Sequence, residues 1–120
     1  MKIERELGNE LSDVSGDNCG YDIESSEPNG RLRFIEVKGR AVGAKTVTVT
    51  KNEIITAWNS PENFFLAVVM VEGNAAHVVY LKTPFTRPLD FNAVSVNYEL
   101  SALMRQGKIF FDGNISLGGD

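Results

Sequence analysis

Gly20-Tyr21-Asp22-Ile23 and, past a polar turn, Arg33-Phe34-Ile35-Glu36-Val37-Lys38-Gly39 are the stretches on which the reading of this chain turns. Both alternate as strands do, and together they read as a hairpin. Residues two apart on a strand share a face. Glu36 and Lys38 therefore project together, while Ile35 and Val37 point the other way. In register, Asp22 on the preceding strand comes beside Glu36. Two carboxylates and an ammonium then meet on one patch of sheet, which suits a divalent cation and an activated water. Glu36-x-Lys38 is the single acid-x-Lys triplet in the chain, and it sits inside an apolar strand. A solvated strand face carrying a Glu/Lys pair gives the same pattern, because charged residues are normally exposed.

Working outward, Pro28-Asn29-Gly30 marks the turn of the hairpin. Upstream, Ile3 to Leu7 reads as the end of a helix closed by Gly8. Glu10 to Ser15 alternates as a first strand, and Gly16-Asp17-Asn18 is a turn. Downstream, Gly39 to Lys45 reads as loop and Thr46 to Val49 as a short strand. Thr50-Lys51-Asn52-Glu53 is a capping box, so a helix is expected from Lys51 to about Trp58. Phe64 to Val71 is a continuous apolar run and reads as a buried strand. Gly73-Asn74 turns it into Ala76 to Leu81. Pro84 to Val94 reads as a long loop packed through Phe85, Leu89 and Phe91. Ser95 to Arg105 reads as a helix capped near Asn97. The pattern predicts a single domain over 1–106, with 107–120 as an irregular tail. By pattern alone the fold class is α/β or α+β, with a mixed sheet flanked by helices.

The blocks Gly20-Tyr21-Asp22-Ile23, Ile35-Glu36-Val37-Lys38-Gly39 and Val49-Thr50-Lys51-Asn52-Glu53 with Ala57 resemble the No Vein C-terminal-type domain. Pro84-Phe85, Asp90-Phe91 and Ser95-Val96-Asn97-Tyr98 resemble the tail of its helicase-linked version. The resemblance covers nearly the whole chain. It implies the restriction-endonuclease-like, PD-(D/E)xK superfamily and its core fold. Tyr21 stands where that superfamily often has Pro. The resemblance further implies attachment to a larger helicase-type polypeptide, in repair or defence, and Mg²⁺-dependent hydrolysis of DNA phosphodiester bonds. Asp22, Glu36 and the Val37 carbonyl would hold Mg²⁺ (or Mn²⁺), and Lys38 would position or help deprotonate the water. Glu6 is the candidate accessory acid on the first helix, with Glu4 and Glu10 also available. Arg40, Lys45, Lys51 and Asn52 are candidate phosphate contacts.

Composition constrains these expectations. A length of 120 residues suits one core. The net charge of −4 is unlike that of a freestanding nucleic-acid binder, which is more often basic. A non-catalytic module that docks DNA or a partner domain with the same fold is therefore a second reading. No apolar run approaches a membrane span. Cys19 is alone, which excludes an intrachain disulfide and suits a reducing cytoplasm. His77, the single histidine, reads as a surface strand residue or a satisfied core group. Trp58 and the phenylalanines read as core, and Glu53 as a cap residue. The resemblance implies a longer first helix than the one that opens this sequence, so a piece of a longer polypeptide is expected.

Overall fold

The computed structural model describes residues 2–17, 19–90 and 92–116. The chain is α+β: among the described residues, a large mixed sheet carries three short α-helices. In chain order the elements are α1 (Lys2–Glu6), β1 (Glu10–Asp13), a 3₁₀ turn (Ser15–Asp17), β2 (Ile23–Ser26), β3 (Leu32–Ala41), β4 (Thr46–Thr50), α2 (Lys51–Asn59), β5 (Phe64–Glu72), β6 (Ala75–Lys82), β7 (Ser95–Glu99), α3 (Leu100–Gln106) and β8 (Lys108–Ser116). The main sheet runs β1-β2-β3-β5-β6-β8, and β4 pairs with β7 in a second, two-stranded sheet. All pairs are antiparallel except β3 with β5, where Glu36 lies opposite Leu66 and Lys38 opposite Val68. A parallel pair needs a crossover, and β4 with α2 supplies it. This places α2 over the strand that carries Glu36 and Lys38.

The alternation on β5 builds two cores. Phe64, Leu66 and Val68 face Val47 and Val49 of β4, Ile54 and Ala57 of α2, and Leu100 and Leu103 of α3. Phe65 and Ala67 face the opposite way, with Ile35, Val78, Tyr80 and Ile3 of α1. The apolar run is thus buried on both sides, as a central strand requires. Of the helices, α2 is fixed at its start by the Thr50 capping box. Glu53 N–H donates to Thr50 Oγ1 at 3.2 Å, and Thr50 N–H donates to Glu53 Oε1 at 2.9 Å.

Several expectations need correction. The helix expected over Ser95–Arg105 is a strand for its first half. Val96 and Tyr98 alternate inward opposite Val49 and Val47, and Thr48 Oγ1 donates to Asn97 Oδ1 at 3.2 Å. The helix begins only at Leu100, and Asn97 does not cap it. The expected tail over 107–120 contains β8. Lys108–Ser116 pairs along β6 with one register shift at Tyr80/Leu81 and packs Phe111 and Ile115 on the second core. Residues 117–120 lie outside the described residues. The first strand ends at Asp13, whose Oδ1 accepts from Ser15 N–H and Oγ–H, and Ser15–Asp17 is a 3₁₀ turn. Asn18, expected in that turn, and Phe91, expected in the core, also lie outside the described residues. Phe85 is buried as expected, and Leu89 packs against the first core. The third strand runs on through Gly39 and Arg40 to Ala41, where a loop was expected, because β5 continues alongside it. Trp58 is 42% exposed instead of being core, with Nε1–H donating to Phe85 O at 2.8 Å. Among the described residues, no helix is long and apolar enough to cross a membrane.

Candidate functional site

Asp22 lies just before β2 and is fixed by three bonds. Its N–H donates to Ile35 O at 2.9 Å and its carbonyl accepts from Val14 N–H at 2.8 Å. Its Oδ2 accepts from Val37 N–H at 3.0 Å. The pairing of β2 with β3 ends at Ile23 opposite Ile35, so Val37 lies two residues past it, and Asp22 takes its amide with a side chain. Chain entry here depends on Gly20. Its φ is +90°, and a Cβ on it would overlap the Thr56 hydroxyl of α2. Only glycine allows both the left-handed backbone and the close approach. The segment carrying Asp22 is thereby laid against α2.

Glu36 is 3% exposed. Its Oε2 receives the Lys38 ammonium at 3.2 Å, while its Oε1 is buried with no hydrogen-bond partner. The same ammonium reaches Glu53 Oε1 at 2.9 Å. One oxygen of Glu53 thus caps α2 and holds Lys38. The charges respond accordingly. Burial, then the hydrogen bond to Glu53 that protonation would allow and the charge of Glu53, then the charge of Asp22, push the Glu36 carboxyl up to about 8 against the pull of Lys38. Burial opposes the charged form of Lys38, but the hydrogen bond to Glu53 and the charge of Glu36 overcome it and raise its proton affinity. Burial likewise acts against ionised Glu53, yet the Thr50 N–H and the Lys38 ammonium hold its carboxyl below the usual range.

These groups border one cleft of about 810 Å³. Asp22, Glu36 and Glu53 line it, with Lys51 and Asn52 from the start of α2, Cys19, Tyr21, Ile55 and Val94. Lys38 does not line it, but its ammonium pairs with Glu36 and Glu53, which do. The structure therefore brings together Asp22, Glu36, Val37, Lys38, Lys51 and Asn52. Arg40 is exposed farther along β3 and does not line the cleft. Lys45 lines a separate depression with Thr46 and Leu100. The candidate accessory acid Glu6 is exposed on α1 and also outside the cleft. The buried acid of α1 is Glu4. It accepts from Asn9 at 3.0 Å and Ser25 at 2.8 Å and pairs with Arg33 at 3.2 Å, on the second-core side of the sheet.

Sequence reasoning missed two residues. Glu53 was assigned wholly to its cap, although Thr-x-x-Glu beside a strand pair holding Lys38 leaves the outer side of its carboxylate available. Arg33 gave no local signal for its bonds to Glu4 and Glu27.

Among the described residues, no group of three or more His, Cys, Asp or Glu side chains is arranged to hold a metal ion. Mg²⁺ asks for less, since it keeps several waters and takes one or two carboxylates. An all-oxygen donor set of Asp22, Glu36 and the Val37 carbonyl fits that demand. The orphaned Glu36 Oε1 is the atom a cation would satisfy.

Comparison with known proteins gives one family. The model described as Protein NO VEIN, C-terminal, matches residues 1–81. No curated protein matches the chain.

Proposed function

The chain belongs to the NO VEIN C-terminal family, and from that premise we propose that it is a PD-(D/E)xK-type, Mg²⁺-dependent nuclease domain. It hydrolyses phosphodiester bonds in nucleic acid, DNA in the first instance, as part of a larger helicase-type protein. One observation carries this reading. A buried carboxylate oxygen of Glu36 is left without a partner beside Asp22, at the edge of a cleft open to a ligand.

When bound, Mg²⁺ would supply Lewis acidity and lower the pKa of a coordinated water. Asp22 and Glu36, with the Val37 carbonyl, are the residues that would hold it. The Asp22 carboxylate keeps its aim because Val37 N–H fixes one oxygen. Lys38 stays charged between Glu36 and Glu53. It balances the carboxylates, and with them the charge that gathers on a phosphoryl group in the transition state. Glu53 holds that ammonium in place. Lys51 and Asn52, at the N-terminal end of α2, provide the phosphate contact.

A second reading keeps the fold and drops the chemistry: a module that binds DNA or a partner domain. The net charge of −4 and the positions of Arg40 and Lys45 outside the cleft favour it.

Linkage separates the two. A cation that binds only the folded site stabilises it by about 2.7 kcal/mol at one hundred times its dissociation constant. Millimolar Mn²⁺ raises the melting temperature of the wild type and raises that of Glu36→Gln and Asp22→Asn much less. The same variants lose Mn²⁺-dependent cleavage of plasmid and single-stranded DNA. An equal response to Mn²⁺ in all three proteins rejects the metal site and leaves the interaction module.

A further inference from the structure

The cleft bordered by Glu36 has a composition that constrains its ligand. We propose, building on the nuclease reading, that it accepts one unstacked nucleotide of a single-stranded nucleic acid, and not the backbone of an intact duplex. The inference joins three observations. First, at about 810 Å³ the cleft, which is open to solvent, is large enough to take a small organic group. Second, one side is apolar and open. Ile55 and Val94 are exposed at 36% and 81%, and Ala93 lies beside Val94 in the lining. Exposed apolar side chains gathered at a cleft mark a binding surface. Third, among the described residues that line the cleft, Lys51 is the one Lys or Arg side chain.

A duplex is held chiefly by many cations set along its phosphates. That arrangement is absent from the described lining, where the carboxylates of Asp22 and Glu53 would repel a run of phosphates. An unpaired nucleotide asks for something different. Its base needs an apolar surface that excludes water, and its phosphate needs a few donors and a cation. Ile55 and Val94 supply the surface. Lys51 and Asn52 lie next to Ile55 on the same helix, toward its N-terminal end. Asp22, Glu36 and Glu53 line the same cleft and supply its acidic part. A base against Ile55 and Val94 then leaves its phosphate between the start of α2 and the acids.

Binding is measured by fluorescence anisotropy with Ca²⁺ present, which supports binding while slowing hydrolysis. The probes are a short single-stranded DNA, the blunt duplex of the same sequence, an abasic-spacer strand with the same phosphates, and the free deoxynucleoside monophosphates. The single strand binds at least tenfold tighter than the duplex and at least fivefold tighter than the abasic strand. The Ile55→Ser/Val94→Ser variant, altered at two exposed positions, loses at least fivefold toward the single strand and keeps its melting temperature within a few degrees. The proposal is overturned by a duplex, an abasic strand or a free mononucleotide that binds as tightly as the single strand. No binding of the single strand, or an unchanged affinity in the double variant, overturns it equally. Failure of the nuclease reading is distinguished by its own signature: single-strand preference retained, with no Mn²⁺-dependent stabilisation and no cleavage.

Discussion

Replacing Glu36 with Gln tests the burial of this carboxyl directly. In the folded chain its pKa is raised from 4.5 to about 8, first by burial and then by Glu53. The folded state therefore binds one more proton than the unfolded state between those two values. The sign follows from linkage: stability falls as pH rises wherever the folded state holds the extra proton. The contribution is fully present below about 4.5 and is lost as pH rises through about 8. One pKa unit corresponds to about 1.4 kcal/mol. Between roughly pH 6 and pH 8 the wild type should lose about 2 kcal/mol through this group alone. For a domain of this size that is roughly 5–10 °C in melting temperature. Glu36→Gln removes the titration at near-constant shape, so the comparison isolates this one group. The assay is thermal denaturation in EDTA at the two pH values. The readout is the difference between the two drops. The wild type should fall by the stated amount more than the variant. Parallel falls would mean that Glu36 is ionised in the folded chain across this range, and the argument from its burial would fail.

Two further outcomes follow from the start of α2 and from the approach to it. Thr50→Ala should cost about 1 kcal/mol, the usual size of an N-cap loss. Glu53→Ala should cost more, about 2 kcal/mol, because the same oxygen also holds Lys38. In urea titrations the double variant should fall short of the sum, since both substitutions break one box, and strict additivity would show that the box is not a unit. Gly20→Ala should destabilise by about 2 kcal/mol or more, combining a left-handed backbone with overlap onto Thr56. An unchanged urea midpoint would refute the close approach of this segment to α2.

The local features of the site were legible. Period-two alternation fixed the shared face of Glu36 and Lys38, and the capping box fixed the start of α2. Features set by distant partners were not. Glu53 meets Lys38 across the crossover, and a four-residue motif carries no trace of that contact. The choice among Glu4, Glu6 and Glu10 needed the angle of a five-residue helix, which is too short to show a period. Ser95–Glu99 alternates correctly for a strand, but Leu100, Leu103 and Met104 follow at helical spacing, and that spacing reads backward over the strand. The strand Lys108–Ser116 carries Ile109, Phe110 and Phe111, good strand formers. Gly107 and Gly113 and its closeness to the end of the chain made it read as unstructured.

The pairing of β4 with β7 separates two kinds of boundary. The family model matches residues 1–81, so the matched part holds Asp22, Glu36, Lys38 and Glu53 complete. Cooperative assembly does not stop there. The strand that launches α2 takes its neighbour from Ser95–Glu99, and Lys51 N–H donates to Val94 O at 2.8 Å. Leu100, Leu103 and Phe85 fill the core beneath the helix. A polypeptide trimmed to the matched part would keep these four side chains and lose the strand and helix that brace α2. During synthesis, too, the acids and the lysine emerge well before the segment that clamps their helix. The cleft would therefore take its final shape late, with the last third of the chain.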